Sequence, residues 1–204
     1  MNQKIRVLTP DKFVVSEWPG GKTTQIAISP PESLYQNRDF MWRLSSATIE
    51  TDRSEFTALP DYSRLISVIK GEMLLTHDSG QTIRLLPDMV HSFDGGEPTR
   101  SEGRCIDYNL MLRKGCCEGS LQTVRLISGA SISLSCAQPS PRQLTNSTAV
   151  LFCTHGGVEV RIGDAMVVLC EQTAAVIDKV ALEVIALRGL PYAALLLAVI
   201  SSEE

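Results

Sequence analysis

Two arginines stand in apolar, strand-like stretches, where a permanently charged side chain needs a specific partner. Arg43 lies in an alternating stretch at residues 40–50, and Arg64 follows the Pro60-Asp61 break at the start of a stretch rich in Ile, Leu and Val. Arginine keeps its charge at any working pH, and its planar guanidinium matches a carboxylate through two hydrogen bonds. Because an unpaired buried charge is very costly, each arginine must meet an anionic ligand or a carboxylate of the protein, unless it is exposed at a strand end. The candidates for an internal ion pair are Asp52, Glu55 and Asp61.

Few residues could perform catalysis. Asp107 and Tyr108 could be an acid and base pair, but successive strand residues point to opposite faces and cannot act on one substrate. This argues against a simple proton-transfer enzyme. The six cysteines form no Cys-x-x-Cys motif, so we expect free thiols. For Cys153-Thr154-His155, a buried cysteine at a strand end is a simpler interpretation than half of a metal site.

The charge of the chain excludes two classes of partner. A net charge of -4, without a run of basic residues, gives no electrostatic footprint for nucleic acid or an anionic membrane. The N-terminal stretch lacks an apolar signal core, and the most apolar run, residues 190–200, is shorter than the ~20 residues that a spanning helix needs. We therefore expect a soluble, cytoplasmic protein with no nucleic-acid or membrane partner. The sequence leaves open whether it forms a homodimer.

Short β-strands must position the two arginines. Residues 40–50 and 104–113 alternate between two faces with the period of two that is typical of half-buried strands. In the second stretch Asp107 and Asn109 share a face with apolar neighbours, which predicts a wet pocket or a hydrogen-bonded core. Lys70-Gly71-Glu72 predicts a tight hairpin turn, since glycine supplies the positive φ. Nearly every apolar run is short and ends at Gly, Pro or Asp, so the predicted fold class is all-β.

The second half of the chain repeats the spacing of the first. Gly71, a predicted hairpin turn, and Asp94 bracket three short apolar runs that Gly80 and Pro87 divide. A predicted Gly-Gly hairpin turn at Gly156 and the later Asp178 bracket three more at nearly the same separation. Such internal similarity indicates a duplication, with the polar segment 114–119 as the connector.

We therefore expect two packed jelly-roll β-barrels, an N-terminal domain at residues 1–115 with a ligand pocket and a degenerate C-terminal domain at residues 116–204. The counterpart of the Arg64 strand, residues 148–153, carries no charge. The second barrel should thus be filled by apolar side chains and leave no room for a polar ligand.

A series of motifs follows in order between residues 10 and 115. They are Trp18-Pro-Gly-Gly with Thr24-Gln25-Ile26, Phe40-Met-Trp-Arg43-Leu-Ser45, Phe56-Thr-Ala-Leu-Pro60-Asp-Tyr-Ser-Arg64, the Gly71 turn, Phe93-Asp-Gly95 and Asp107-Tyr-Asn109-Leu-Met111. Together they resemble the HutD/Ves family, which the second half of the chain matches only by pattern. The resemblance implies a two-cupin fold of the RmlC-like, jelly-roll type. It also implies a small-molecule-binding or modulating role beside histidine breakdown, without established catalysis, and a carboxylate such as formylglutamate held in the first cupin.

In such a pocket Arg64 and Arg43 are the expected carboxylate ligands. Thr24 and Asn109 would add neutral hydrogen bonds, and Phe93 and Trp42 would form apolar walls. Each of these residues alone also fits a structural role. Many family members have Arg-Glu where this chain has Thr24-Gln25, so two formal charges are absent beside the expected pocket.

Metal-using cupins place two His and a Glu on the first hairpin and another His after the next turn, because the ligands must converge inside the barrel. Here the hairpin positions are Ile66, Ser67, Val68 and Met73, and only His91 falls where the later ligand would lie. We therefore expect no metal and no cofactor. The leading hypothesis is a non-catalytic carboxylate-binding protein. The alternative is a metal-independent cupin isomerase or hydrolase that uses His91 as general base.

Overall fold

Among the described residues nearly all regular structure is β-strand, which confirms the all-β prediction. The computed structural model describes residues 4–127, 129–135, 144, 146–178 and 184–203. In chain order the strands are β1 (Lys4–Leu8), β2 (Val14–Trp18), β3 (Gly21–Ser29), β4 (Trp42–Ile49), β5 (Arg53–Glu55), β6 (Tyr62–Gly71), β7 (Met73–His77), β8 (Thr82–Leu85), β9 (Val90–Asp94), β10 (Thr99–Glu102), β11 (Cys105–Arg113), β12 (Cys117–Leu126), β13 (Ser131–Ser135), β14 (Asn146–Ile162), β15 (Ala165–Cys170), β16 (Ala174–Asp178) and β17 (Val184–Ser202). The described residues also form two single turns of 3-10 helix, Pro10–Lys12 and Tyr35–Asn37. No helix of these residues is long and apolar enough to cross a membrane.

The strands form two compact units. The N-terminal unit is Phe13–Cys116, and the C-terminal unit combines Met1–Lys12 with Cys117–Glu204. Strand β1 belongs to the C-terminal unit because it pairs antiparallel with β16, with Lys4 opposite Asp178.

In the N-terminal unit two antiparallel sheets pack face to face. A six-stranded sheet has the order β2-β3-β4-β11-β6-β9, and a four-stranded sheet has the order β5-β10-β7-β8. Apolar side chains from both sheets form the core between them: Ile49, Ile66, Val68, Met73, Leu75, Leu85, Phe93 and Cys105. Burial of this apolar surface is the main stabilising contribution to the unit.

The predicted hairpin at Gly71 is wrong. Strand β6 pairs with β11 and β9, whereas β7 pairs with β10 and β8, so the chain changes sheets at Glu72. Gly71 does have a positive φ of 84°. A Cβ there would lie 2.5 Å from the carbonyl oxygen of Arg104, so glycine is required by a close approach between backbones at this corner.

The C-terminal unit is a single seven-stranded sheet system with the path β1-β16-β14-β17-β12, in which β13 also pairs with β17 and β15 with β14. The predicted turn at Gly156 is wrong as well, because β14 runs through this residue, with shifts in its register against β17. Gly156 is needed because a Cβ would lie 1.9 Å from the carbonyl oxygen of Tyr192. The apolar core of this unit includes Ala149, Leu151 and Cys153.

Candidate functional site

Three neighbouring strands of the N-terminal unit bring the two arginines into one row. Strand β11 lies between β4 and β6, and its Met111 is directly opposite Arg43 on β4 and Arg64 on β6. Strands in a sheet are about 4.8 Å apart, so the two arginine backbones are separated by roughly 10 Å. Residues in one row point to one face of the sheet, so both guanidiniums emerge on the same side.

A cavity of about 300 Å³ lies on this side of the sheet, and both arginines line it. Alternate residues of β4 and β11 form one wall, as the period of two requires. Residues 54–57 contribute from another part of the unit, and Tyr35 closes a further side. The full lining is Ser16, Trp18, Thr23, Tyr35, Arg43, Ser45, Ala47, Ile49, Ser54, Glu55, Phe56, Thr57, Arg64, Asp107, Asn109 and Met111.

Arg43 is held by neutral groups. Its side chain is 4% exposed; Nε donates to Gln25 Oε1 at 2.8 Å, and Nη1 donates to Ser45 Oγ at 3.0 Å. The guanidinium carbon lies 4.3 Å from the centre of the Tyr35 ring, a distance that gives a favourable cation–π contact. These contacts orient the guanidinium and leave its formal charge uncompensated.

Arg64 has a similar environment. It is 5% exposed; Nε donates to Asn109 Oδ1 at 3.3 Å, and Nη1 donates to the carbonyl oxygen of Thr57 at 3.4 Å. Its guanidinium carbon lies 4.6 Å from the ring centre of Phe56 and 5.3 Å from that of Phe93. Two of the five N–H groups of each arginine are thus used in these long or neutral contacts, and the others remain for a ligand.

The alternative of internal ion pairs is wrong for the described residues, since no carboxylate among them lies within salt-bridge distance of either arginine. Asp52 instead pairs with Arg104 at 2.9 Å, and Glu55 pairs with Arg100 at 3.5 Å. Burial lowers the pKa of Arg43 and of Arg64 to about 10, which leaves both side chains charged at neutral pH.

A network around Tyr62 holds the segment that carries Tyr35. The Tyr62 ring stacks on Phe40 with 4.3 Å between ring centres, and its hydroxyl lies 2.9 Å from the carbonyl oxygens of Arg38 and Phe40. Arg113 donates to the same hydroxyl at 2.7 Å. The buried Tyr62 therefore holds the segment that contains Arg38 and Phe40. The same segment places the Tyr35 ring against the Arg43 guanidinium.

Asp107 also lines the cavity, although the sequence did not identify it as a ligand-binding residue. It is 2% exposed, and its Oδ1 accepts a hydrogen bond of 3.2 Å from the backbone N–H of Ala47. Burial raises the pKa of Asp107 to about 7, against the opposing effects of the Ala47 N–H and the Arg64 charge. The alternation of residues 104–113, with Asp107 and Asn109 on one face, was the signal that could have identified it.

The predicted binding residues are only partly brought together. Asn109 lines the cavity with the two arginines. Phe93 is opposite Arg64 in the pairing of β9 with β6 and supports its guanidinium from within the apolar core. Thr24 and Trp42 do not line the cavity, because each lies one position from a residue that does, Thr23 and Arg43, and successive strand residues face opposite ways.

His91, the general base of the alternative hypothesis, does not line the cavity. Its Nε2 lies 2.9 Å from His77 Nε2, so one imidazole must donate and the other accept, and His77 Nδ1 lies 2.9 Å from Thr99 Oγ1. Burial and the nearby His77 lower the pKa of His91. The histidine pair thus forms a separate cluster that contacts Phe93. Within the described part of the chain, no group of three or more His, Cys, Asp or Glu side chains could hold a metal ion.

Comparison with known structures identifies the fold class of the chain. A conserved protein of unknown function, PA5104 from Pseudomonas aeruginosa PAO1, is 22% identical with a TM-score of 0.81, covering 98% of this chain and 100% of that one. HutD from Pseudomonas fluorescens SBW25, solved in a formate condition, is 24% identical with a TM-score of 0.73 and the same coverage. The bacterial pirin YhhW from Escherichia coli, solved with nickel(II), is 11% identical with a TM-score of 0.67, covering 98% and 100%. These similarities show an all-β, cupin-like fold.

The sequence comparisons are consistent with that result. No curated protein matches the chain significantly. The family model for HutD matches residues 11–189. This range includes the whole N-terminal unit and most strands of the C-terminal unit. Since this match covers far more than half of the sequence, the chain belongs to the HutD family.

Proposed function

We propose that this protein is a non-catalytic binding protein for a small carboxylate, which it holds in the cavity of the N-terminal unit. The observation that carries the proposal is the pair Arg43 and Arg64. Both are buried, both line one cavity, and neither has a carboxylate partner among the described residues. A buried charge without a partner is strongly unfavourable, so an anion that enters the cavity relieves this cost.

The chemistry of the cavity favours a carboxylate over other ligands. Guanidinium groups bind carboxylates through paired, charge-assisted hydrogen bonds, which are about twice as strong as neutral ones. Phe56, Met111 and Ile49 supply apolar surface for a short carbon chain. The volume of about 300 Å³ is at the lower end for ligand pockets, which suits a small metabolite.

Within this proposal the ligand is of the formylglutamate type, and the protein modulates histidine breakdown. Family membership is the support for both statements. We also propose that the two units are the two jelly-roll barrels of a bicupin. The support for this is the pair of facing sheets in the N-terminal unit and the cupin-like neighbours.

Thermal unfolding with a panel of carboxylates tests the proposal. Formate, glutarate and N-formyl-L-glutamate are each compared with the corresponding neutral amide, which has a similar shape but no charge. A ligand at 100 times its Kd adds about 2.7 kcal/mol of stability, which should raise Tm by about 5 to 10 °C. The amides should give no comparable shift. If no anion in the panel raises Tm, the proposal is wrong.

A further inference from the structure

Asp107 is a buried acid in the same cavity that carboxylate binding does not itself require. Its carboxyl group accepts one backbone hydrogen bond and forms no ion pair with a described residue. An acid that lines an anion site opposes the binding of an anion whenever it is ionised. A side chain with this effect must either weaken the site or change its charge when the site is filled.

The sheet register brings both guanidiniums towards Asp107. Along β11 the rows are those of Met111, Asn109 and Asp107, and the arginines belong to the Met111 row. Arg64 reaches Asn109, and Arg43 reaches Ser45, which is opposite Asn109. Both charged groups therefore end one row from Asp107, a distance of roughly 7 Å along the strand. An anion bound between them lies within strong electrostatic range of the acid.

The charged and titratable groups around Asp107 can be named from each neighbouring element. Arg43 extends from β4 and Arg64 from β6, while Tyr35 and Glu55 line other sides of the cavity, and Cys105 shares the face of β11. His77 and His91 contact Phe93 and lie outside the lining. Both arginines stay charged between pH 6 and 9, and burial raises the pKa of Cys105 to about 12.

We propose that anion binding in this cavity is coupled to the uptake of a proton by Asp107. The inference rests on the proposed function, because it concerns the same site. In the empty cavity the two arginines favour the ionised acid, and a bound anion cancels part of their effect and adds its own repulsion. The acid then takes up a proton, and linkage requires that binding weakens as the pH rises. The raised pKa of Asp107, about 7, puts this change near neutrality.

Isothermal titration calorimetry tests the coupling with N-formyl-L-glutamate and with sodium formate as probes. Titrations are made in imidazole and in Tris, two cationic buffers of different ionisation enthalpy that add no competing carboxylate. We expect the heat to depend on the buffer and to report uptake of a fraction of one proton. Between pH 6.5 and 8.5 the affinity should fall about tenfold, since linkage to one proton changes it by at most tenfold per pH unit.

Variants identify the group that takes up the proton. Asp107→Asn should remove both the proton uptake and the pH dependence, whereas the matched change Asp52→Asn, at an exposed carboxyl outside the cavity, should keep them. If Asp107→Asn fails to fold, infrared difference spectra of the natural protein serve instead, and a protonated carboxyl band should appear on binding.

Three results would overturn the coupling. Binding without proton uptake would contradict the coupling and leave the proposed function intact. Proton uptake that persists in Asp107→Asn would assign the proton to another group, and the proposed coupling through Asp107 would be wrong. If neither probe binds at any pH, both the coupling and the proposed function are wrong.

Discussion

Gln25 Oε1 accepts a hydrogen bond of 2.8 Å from Arg43 Nε, so a neutral side chain contacts one of the two charges in the cavity. A carboxylate here would form a charge-assisted pair with Arg43 and compensate it. Whether residue 25 carries an amide or a carboxylate therefore decides how much positive charge the cavity offers a ligand.

We predict that Gln25→Glu weakens the binding of N-formyl-L-glutamate several-fold and raises Tm of the ligand-free protein. The new carboxylate competes with the ligand for Arg43 and removes the cost of its unpaired charge. Calorimetry and thermal unfolding measure the two effects. Gln25→Ala is the control, since it removes the hydrogen bond without adding charge, and tighter binding by Gln25→Glu would contradict the role of Arg43.

Arg64→Ala should weaken carboxylate binding by roughly 1.5 to 3 kcal/mol, or about 10- to 150-fold, because it removes one charge-assisted contact. Arg64→Lys should recover part of this loss, since an ammonium keeps the charge but lacks the bidentate geometry. Binding is measured by calorimetry, with the exposed Arg84, which pairs with Glu72, changed to Ala as the control. Unfolding of Arg64→Ala with unchanged ligand response in the folded fraction would make Arg64 a structural residue.

The raised pKa of Asp107 predicts a pH dependence of stability without any ligand. The folded state favours the protonated acid, so this contribution is fully present below the ordinary carboxyl pKa of about 4 and is lost as the pH rises through about 7. From pH 5 to pH 8 the natural protein should lose on the order of 2 to 3 kcal/mol relative to Asp107→Asn. Urea unfolding at several pH values measures the difference. Parallel curves for the two proteins would show that Asp107 titrates normally.

His91→Ala should leave carboxylate affinity unchanged within about twofold, because His91 lies outside the cavity lining. It should lower stability by about 1 kcal/mol or more, since it removes the hydrogen bond to the buried His77. Calorimetry and urea unfolding give the two values. A large loss of affinity with normal stability would return His91 to the binding site.

Purified protein should carry no stoichiometric transition metal. The positions expected for metal ligands hold Ile66, Ser67, Val68 and Met73, none of which binds a hard or borderline cation. Elemental analysis of protein prepared without a His-tag checks this. About one Fe, Mn, Zn or Ni per chain would refute the prediction.

The sequence by itself determined the all-β class, the family and the charged residues worth examining. Short alternating runs bounded by Gly, Pro and Asp indicate this fold class. The period-two alternation of residues 104–113 correctly put Asp107 and Asn109 on one face. These are local properties of a strand, so they can be read without knowing which strands are neighbours.

Only the tertiary structure decided what those residues meet. The sequence could not show that β11 lies between β4 and β6, and this pairing alone sets Arg43 and Arg64 in one row and Asp107 beside them. It also could not distinguish a hairpin from a change of sheet at Gly71, because a positive φ serves both equally. Long-range pairing and the resulting burial depend on the whole set of competing strands, and those determine the charge, the shape and the pKa values of the cavity.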